Sequence, residues 1–166
     1  MSTQTPGSGF GSETSALFNP AFCSVLLHKA CKGYSEKADA PMPITIAFLL
    51  LPTALHKPTR EALPGTTATS MWSWLRGNPV LVMDFPDRVR GFRPFTTSAI
   101  TFGLRHAVLS GTHNGLAAGT VGRRPRTLHP TADWNSCLRA AEFLGKWFGV
   151  SDIDEANTLA HWGVQP

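Results

Sequence analysis

Between Glu13 and Lys37 the apolar residues Leu17, Phe18, Phe22, Val25 and Leu26 recur at spacings of three and four, the period of a helix with one buried face. Asn19-Pro20 interrupts this pattern early. Pro20 fits the first turn of the main helix, where its missing N–H would have no partner anyway, and Asn19 fits the cap position. Gly33 is read as its stop. The run from Ile44 to Leu55 has no charged position, so its helix must be buried on most sides and form the core. Pro58 ends that helix near His56 by pushing Lys57 out of helical geometry, and a short helix restarts with Thr59 as cap and Glu61 in its first turn.

After a Gly/Thr-rich connection, Ser70 caps a short helix holding Met71, Trp72, Trp74 and Leu75. Gly77-Asn78-Pro79 ends it and opens a helix over 79–90, and after Gly91 a longer helix is expected over 94–109. Asn114-Gly115 then lies between two short apolar stretches within 108–119, the strongest short-range hairpin signal. Thr131 to Phe148 reads as an amphipathic helix closed by Gly149. Asp152 to Trp162 reads as a last helix capped by Ser151, with three acids in its first turn. Helices followed by a hairpin predict a mainly α fold with a small β-hairpin: one winged-helix-like domain over 13–166 with extra C-terminal helices, behind a disordered tail over 1–12.

Composition narrows the class. With 166 residues, 42% hydrophobic and 16% charged, the chain is long enough to bury a real core. No run reaches the roughly 18 uncharged apolar residues of a membrane helix, and the Ser/Thr/Gly/Pro-rich start does not read as a signal peptide. A cytoplasmic protein with no membrane partner is expected. Cys23, Cys31 and Cys137 are odd in number and sit among apolar residues, which suits small buried side chains better than disulfides. A metal site from Cys23, His28 and Cys31 lacks both a common helix face and a fourth ligand, so no metal is expected.

Charge is distributed unevenly. The stretch from Arg88 to Ala132 carries seven arginines (Arg88, Arg90, Arg93, Arg105, Arg123, Arg124 and Arg126) with no lysine and no carboxylate, whereas 133–166 is net −3. Such a block makes a positive surface unless acids elsewhere, Asp84, Asp87 or the C-terminal segment, pair with it. Arginine suits planar two-point contact with phosphate or carboxylate.

Catalytic patterns are missing. The glycines of 7–11 have no preceding strand, and those of 111–122 lack the lysine and helix of a phosphate loop. His106 and His113 have no neighbouring acid, and Ser110 is not in a nucleophile-elbow pattern. Trp74, Trp134 and Trp147 sit at helical spacing with aliphatic residues and read as core. Neither catalytic residues nor a cofactor are expected.

Four segments carry a resemblance: Leu17-Phe18-Asn19-Pro20-Ala21-Phe22, Leu50-Leu51-Pro52 with the stretch from Leu55 through His56-Lys57-Pro58-Thr59-Arg60-Glu61 to Pro64, Phe143-Leu144-Gly145-Lys146-Trp147-Phe148, and Leu159 with Trp162-Gly163-Val164-Gln165-Pro166. Together they resemble the middle component of bacterial three-component ABC systems, in which a large SMC- or Rad50-like ATPase is encoded beside a small middle protein and a third component. The resemblance implies a non-enzymatic accessory of that ATPase, in defence against phage and other invading DNA, with the ATPase and the third component as partners. It brings no catalytic residues.

On this basis His56, Lys57, Arg60 and Trp162 are expected to face the partner. Arg88, Arg90, Arg93, Arg123, Arg124 and Arg126 are expected to meet the phosphates of double-stranded DNA. The alternative is a stand-alone winged-helix DNA-binding protein, with Lys57 and Arg60 at a helix-turn-helix. Against it, the second helix of that motif, 59–63, is about one turn long and poor in base-reading side chains.

Overall fold

Helix α1 (Pro20–Ala38) begins as its sequence requires, with the Asn19 side chain accepting from the Ala21 N–H at 2.8 Å and Pro20 in the first turn. The computed structural model describes residues 18–123, 131–151 and 153–165, so the expected tail over 1–12 and both Arg124 and Arg126 lie outside the described residues. Gly33 does not end α1; the helix runs five residues further, to Ala38, and is closed by Asp39 at φ 50. The reason is packing. Gly33 is buried against α7 (Ala132–Gly149), where a Cβ would stand 2.6 Å from the Glu142 carbonyl oxygen.

Helix α2 (Ile44–Leu55) is the buried core helix that its composition demands, with Leu49, Leu50, Leu51 and Ala54 inaccessible to solvent. Pro52 withholds one helical donor, and the Thr53 hydroxyl donates to the Leu49 carbonyl at 2.7 Å. Helix α3 (Lys57–Glu61) follows at once, with His56 at its N-cap position and Pro58 in its first turn. Thr59 is therefore inside the helix and buried, not its cap.

Helix α4 (Met71–Gly77) is capped by Ser70, as expected, and α5 (Pro79–Met83) is only five residues long. The break expected at Gly91 falls at Asp84 instead. A single helix, α6 (Phe85–Arg105), passes through both Gly91 and Pro94. Its core face explains this: Phe85, Val89, Thr96, Ala99, Ile100 and Gly103 are all buried, while Gly91, Arg93 and Pro94 are exposed. The carbonyl left unpaired by Pro94 belongs to Arg90, whose side of the helix water can reach. Pro86, in the first turn of α6, was the overlooked start signal.

Strands β1 (Leu109–Thr112) and β2 (Gly115–Ala118) form the antiparallel hairpin, with Thr112 opposite Gly115. The two-residue loop is thus His113-Asn114, one position before the expected Asn-Gly. Gly115 opens β2 at φ 147 because the Met42 backbone presses on it, leaving no room for a Cβ. Met42 exchanges both backbone hydrogen bonds with Leu116, at 2.9 and 2.8 Å, and so adds a one-residue bridge to the hairpin between α1 and α2.

Helix α7 starts at the Thr131 cap and lies along α1. Helix α8 (Glu155–His161) is capped by Asp154 rather than Ser151, since the Asp154 carboxylate accepts from the Asn157 N–H at 2.9 Å. Only Glu155 is acidic in its first turn. Residues from α1, α2, α4, α6, α7, α8 and the hairpin share one apolar cluster. The architecture is mainly helical with a two-stranded antiparallel hairpin. Among the described residues no helix is long and apolar enough to cross a membrane.

Candidate nucleic-acid and partner surface

The sequence places arginines on α6 at positions the helical period sorts into two environments. Arg88 turns toward the body of the protein, where Nη1 donates to Thr59 Oγ1 at 3.3 Å and the guanidinium stands 5.7 Å from the centre of the Phe85 ring. Its pKa is lowered, chiefly by burial, with Asp84 acting against that shift. Arg90, Arg93 and Arg105 face solvent, as does Arg123 beyond the hairpin. Arg90 is paired with Asp87 at 3.0 Å, but both side chains are about three-quarters exposed, so the pair is worth less than about 1 kcal/mol. Among the described residues no carboxylate forms an ion pair with Arg93, Arg105 or Arg123. Among the described arginines of the block, only Arg90 therefore has an ion pair, and a weak one.

Between these arginines α6 exposes Pro94, Thr97, Ser98 and Thr101, together with the larger Phe95 and Leu104. Thr97 donates to the Arg93 carbonyl and Thr101 to the Thr97 carbonyl, both at 2.9 Å. Their hydroxyl hydrogens are spent on the helix itself, which holds the side chains close to its axis.

The corner between α2 and α3 is built inward. Arg60 donates from Nη1 to the Ala54 carbonyl at 2.8 Å, from Nε to Ser136 Oγ at 3.0 Å, and from Nη2 to Asp133. Its side chain is 3% exposed. A partner cannot reach it, and the expected partner contact at Arg60 is replaced by a tie between α2, α3 and α7. Trp162 is likewise 1% exposed, stacked among Phe85, Trp74 and Phe148, with Nε1 donating to Met71 Sδ at 3.1 Å. It belongs to the core, because the last helix folds it under α4 and α6.

His56 is half-buried, with Nδ1 2.6 Å from Thr59 Oγ1. Burial, and then the charges of Arg88 and Arg60, lower its pKa. The lowered pKa favours the neutral ring, whose Nδ1 shares a hydrogen bond with the Thr59 hydroxyl. Lys57 is exposed and pairs loosely with Glu61 at 3.8 Å. Of the four residues expected to face a partner, only these two are accessible to solvent.

Sequence reasoning passed over a second exposed feature. On α4 and α5, Met71, Trp74 and Leu75 turn inward, leaving Trp72 at 46%, Val80 at 77% and Met83 at 76% exposure. The Trp72 ring lies 4.7 Å from the His161 ring, with the Arg76 guanidinium 6.0 Å from its centre. The available signal was the run Val80-Leu81-Val82-Met83, four consecutive apolar residues that one helix face cannot all bury.

The three cysteines are buried, and burial raises Cys23 and Cys31 to about 12 and Cys137 to about 11. Such thiols pack as small apolar groups and are poor nucleophiles. No curated protein and no solved structure matches the chain. A family model does, over residues 8–166, nearly the whole length: the chain belongs to the ABC-three component (ABC-3C) system Middle Component 3 family.

Proposed function

We propose that this chain is a non-enzymatic adapter, which binds the ABC ATPase of its three-component system and holds it on double-stranded DNA. The place of the family within an ABC system supports the accessory role. The resemblance in the sequence supports an SMC- or Rad50-like ATPase and a role in defence against invading DNA. The observation that carries the DNA contact is the outward display of Arg90, Arg93, Arg105 and Arg123 with hardly any acid beside them. A surface of that sign concentrates a polyanion and releases its counterions on contact.

A winged-helix-like arrangement is the fold reading that fits this role. Its support is the Met42–Leu116 bridge, which gives the hairpin a third strand segment between the first two long helices, and the position of α6 directly before the hairpin. On that reading α6, and not the short α3, presents the binding face. The ATPase is assigned to the other exposed features: His56 and Lys57 at the corner, and Trp72, Val80 and Met83, since aromatic residues and methionine are enriched where proteins meet.

The test is duplex binding by the isolated chain over a series of salt concentrations. A logarithmic affinity falling linearly with logarithmic salt is expected, and Arg93→Glu with Arg105→Glu should reduce the slope by about one for each phosphate no longer neutralised. Absence of binding at low salt, or an unchanged slope in the double variant, contradicts the DNA contact. A stand-alone DNA-binding protein would show the same slope but leave the ATPase unbound.

A further inference from the structure

We infer that the outer face of α6 enters the major groove of B-form DNA and grips the phosphate walls on either side without reading sequence. The inference rests on the DNA contact proposed above and adds which nucleic acid is bound, how, and with what selectivity.

Arg90 and Arg93 stand in the first half of α6 and Arg105 is its last residue, 12 to 15 residues further on, all on one solvent-facing side. At 1.5 Å per residue that separation is roughly 18–22 Å. The major groove of B-DNA is about 12 Å wide and admits a helix. A helix crossing it has arginines beyond both groove edges, where the phosphate chains run. Charge complementarity thus specifies a duplex, whose two anionic chains are held a fixed distance apart.

The interval between the arginines decides the depth of approach. On this face Pro94, Thr97, Ser98 and Thr101 are exposed and short, the two threonines being folded back on their own helix by hydrogen bonds, while the larger Phe95 and Leu104 in the interval are 40% and 43% exposed. Long side chains there would hold the helix off the groove floor. The same interval decides selectivity. From Pro94 to Leu104 the chain has no Asn, Gln, Arg, Lys, Asp or Glu, the residues that read base edges by paired hydrogen bonds. Groove entry without base readers yields binding tolerant of sequence. Double-stranded RNA is disfavoured because its A-form major groove is deep and narrow.

Affinities of the full-length chain for a 20-base-pair DNA duplex, a single strand of equal length and an RNA duplex test this, with Thr97→Trp/Thr101→Trp and Thr97→Ala/Thr101→Ala as variants. Tenfold or greater preference for DNA duplex is expected, with little change when the duplex sequence is scrambled. The Trp variant should lose that preference by losing duplex affinity, with no loss of single-strand affinity, because its arginines are intact and exposed tryptophans stack on unpaired bases. The Ala variant should bind like the wild type, and circular dichroism melts confirm that both are folded. Wild-type duplex affinity in the Trp variant, or equal wild-type binding of duplex and single strand, overturns groove entry and leaves the arginine contact standing. A wild-type chain that binds no nucleic acid overturns both.

Discussion

Replacing Gly145 by alanine is expected to destabilise the protein by roughly 2–4 kcal/mol, although the same exchange in an open helix stabilises by up to about 1 kcal/mol. Gly145 lies in α7 where that helix meets α1. A Cβ there would stand 2.8 Å from the Ala30 carbonyl carbon and closer still to its oxygen. The obstacle is backbone, so it cannot turn aside, and the two helices must separate. Separation weakens the close packing of neighbours along the seam, where Gly33 and Gly149 also leave no room for a side chain. Gly91 is the control: it is helical, exposed and open, so Gly91→Ala should gain up to about 1 kcal/mol. Thermal melts decide the matter, because each kcal/mol moves the midpoint of a domain of this size by about 2–4 °C. A Gly145→Ala variant that melts at or above the wild type would show that α1 and α7 are not packed as described.

Arg60→Ala should cost about 2–3 kcal/mol for a different reason. Its loss leaves the Ala54 carbonyl, at the end of α2, without its donor and removes the tie to Asp133 and Ser136 on α7. Asp133 is 43% exposed and recovers water, which keeps the cost below that of a fully buried broken pair. Arg60→Lys should recover only part of the stability, since one ammonium cannot reach three acceptors in the directions a guanidinium does. Urea midpoints measure both variants. DNA and ATPase binding, measured where the variants remain folded, should be unchanged. A stable Arg60→Ala variant that had lost its partner would instead return Arg60 to the surface role expected from the sequence.

The elements most legible in the sequence are those fixed by local chemistry. Asn19-Pro20 places the start of α1, Ser70 and Thr131 those of α4 and α7, and the uncharged run from Ile44 to Leu55 the buried α2. Errors arose where distant packing overrides a local signal. Gly33 reads as a stop and is a contact point for α7; Gly91 and Pro94 read as breaks and lie on the wet side of a helix held by its core face. The one-residue shift in the hairpin depends on Met42, more than seventy residues before Gly115 and invisible to a local reading. At the candidate site the arginine block was legible as composition, but not which arginines face outward. Arg60 and Arg88 resemble their neighbours in sequence and differ only because the α2–α3 corner closes over them.

Whether this chain couples its ATPase to DNA is decided by retention of the ABC ATPase of the same system on an immobilised duplex. The ATPase should be held on the duplex in excess when the wild-type chain is added, and fall to its level without the chain when Arg93→Glu/Arg105→Glu is added instead. Equal retention with the wild type, with the charge-reversed variant and with no chain at all would show that the chain does not hold its ATPase on DNA.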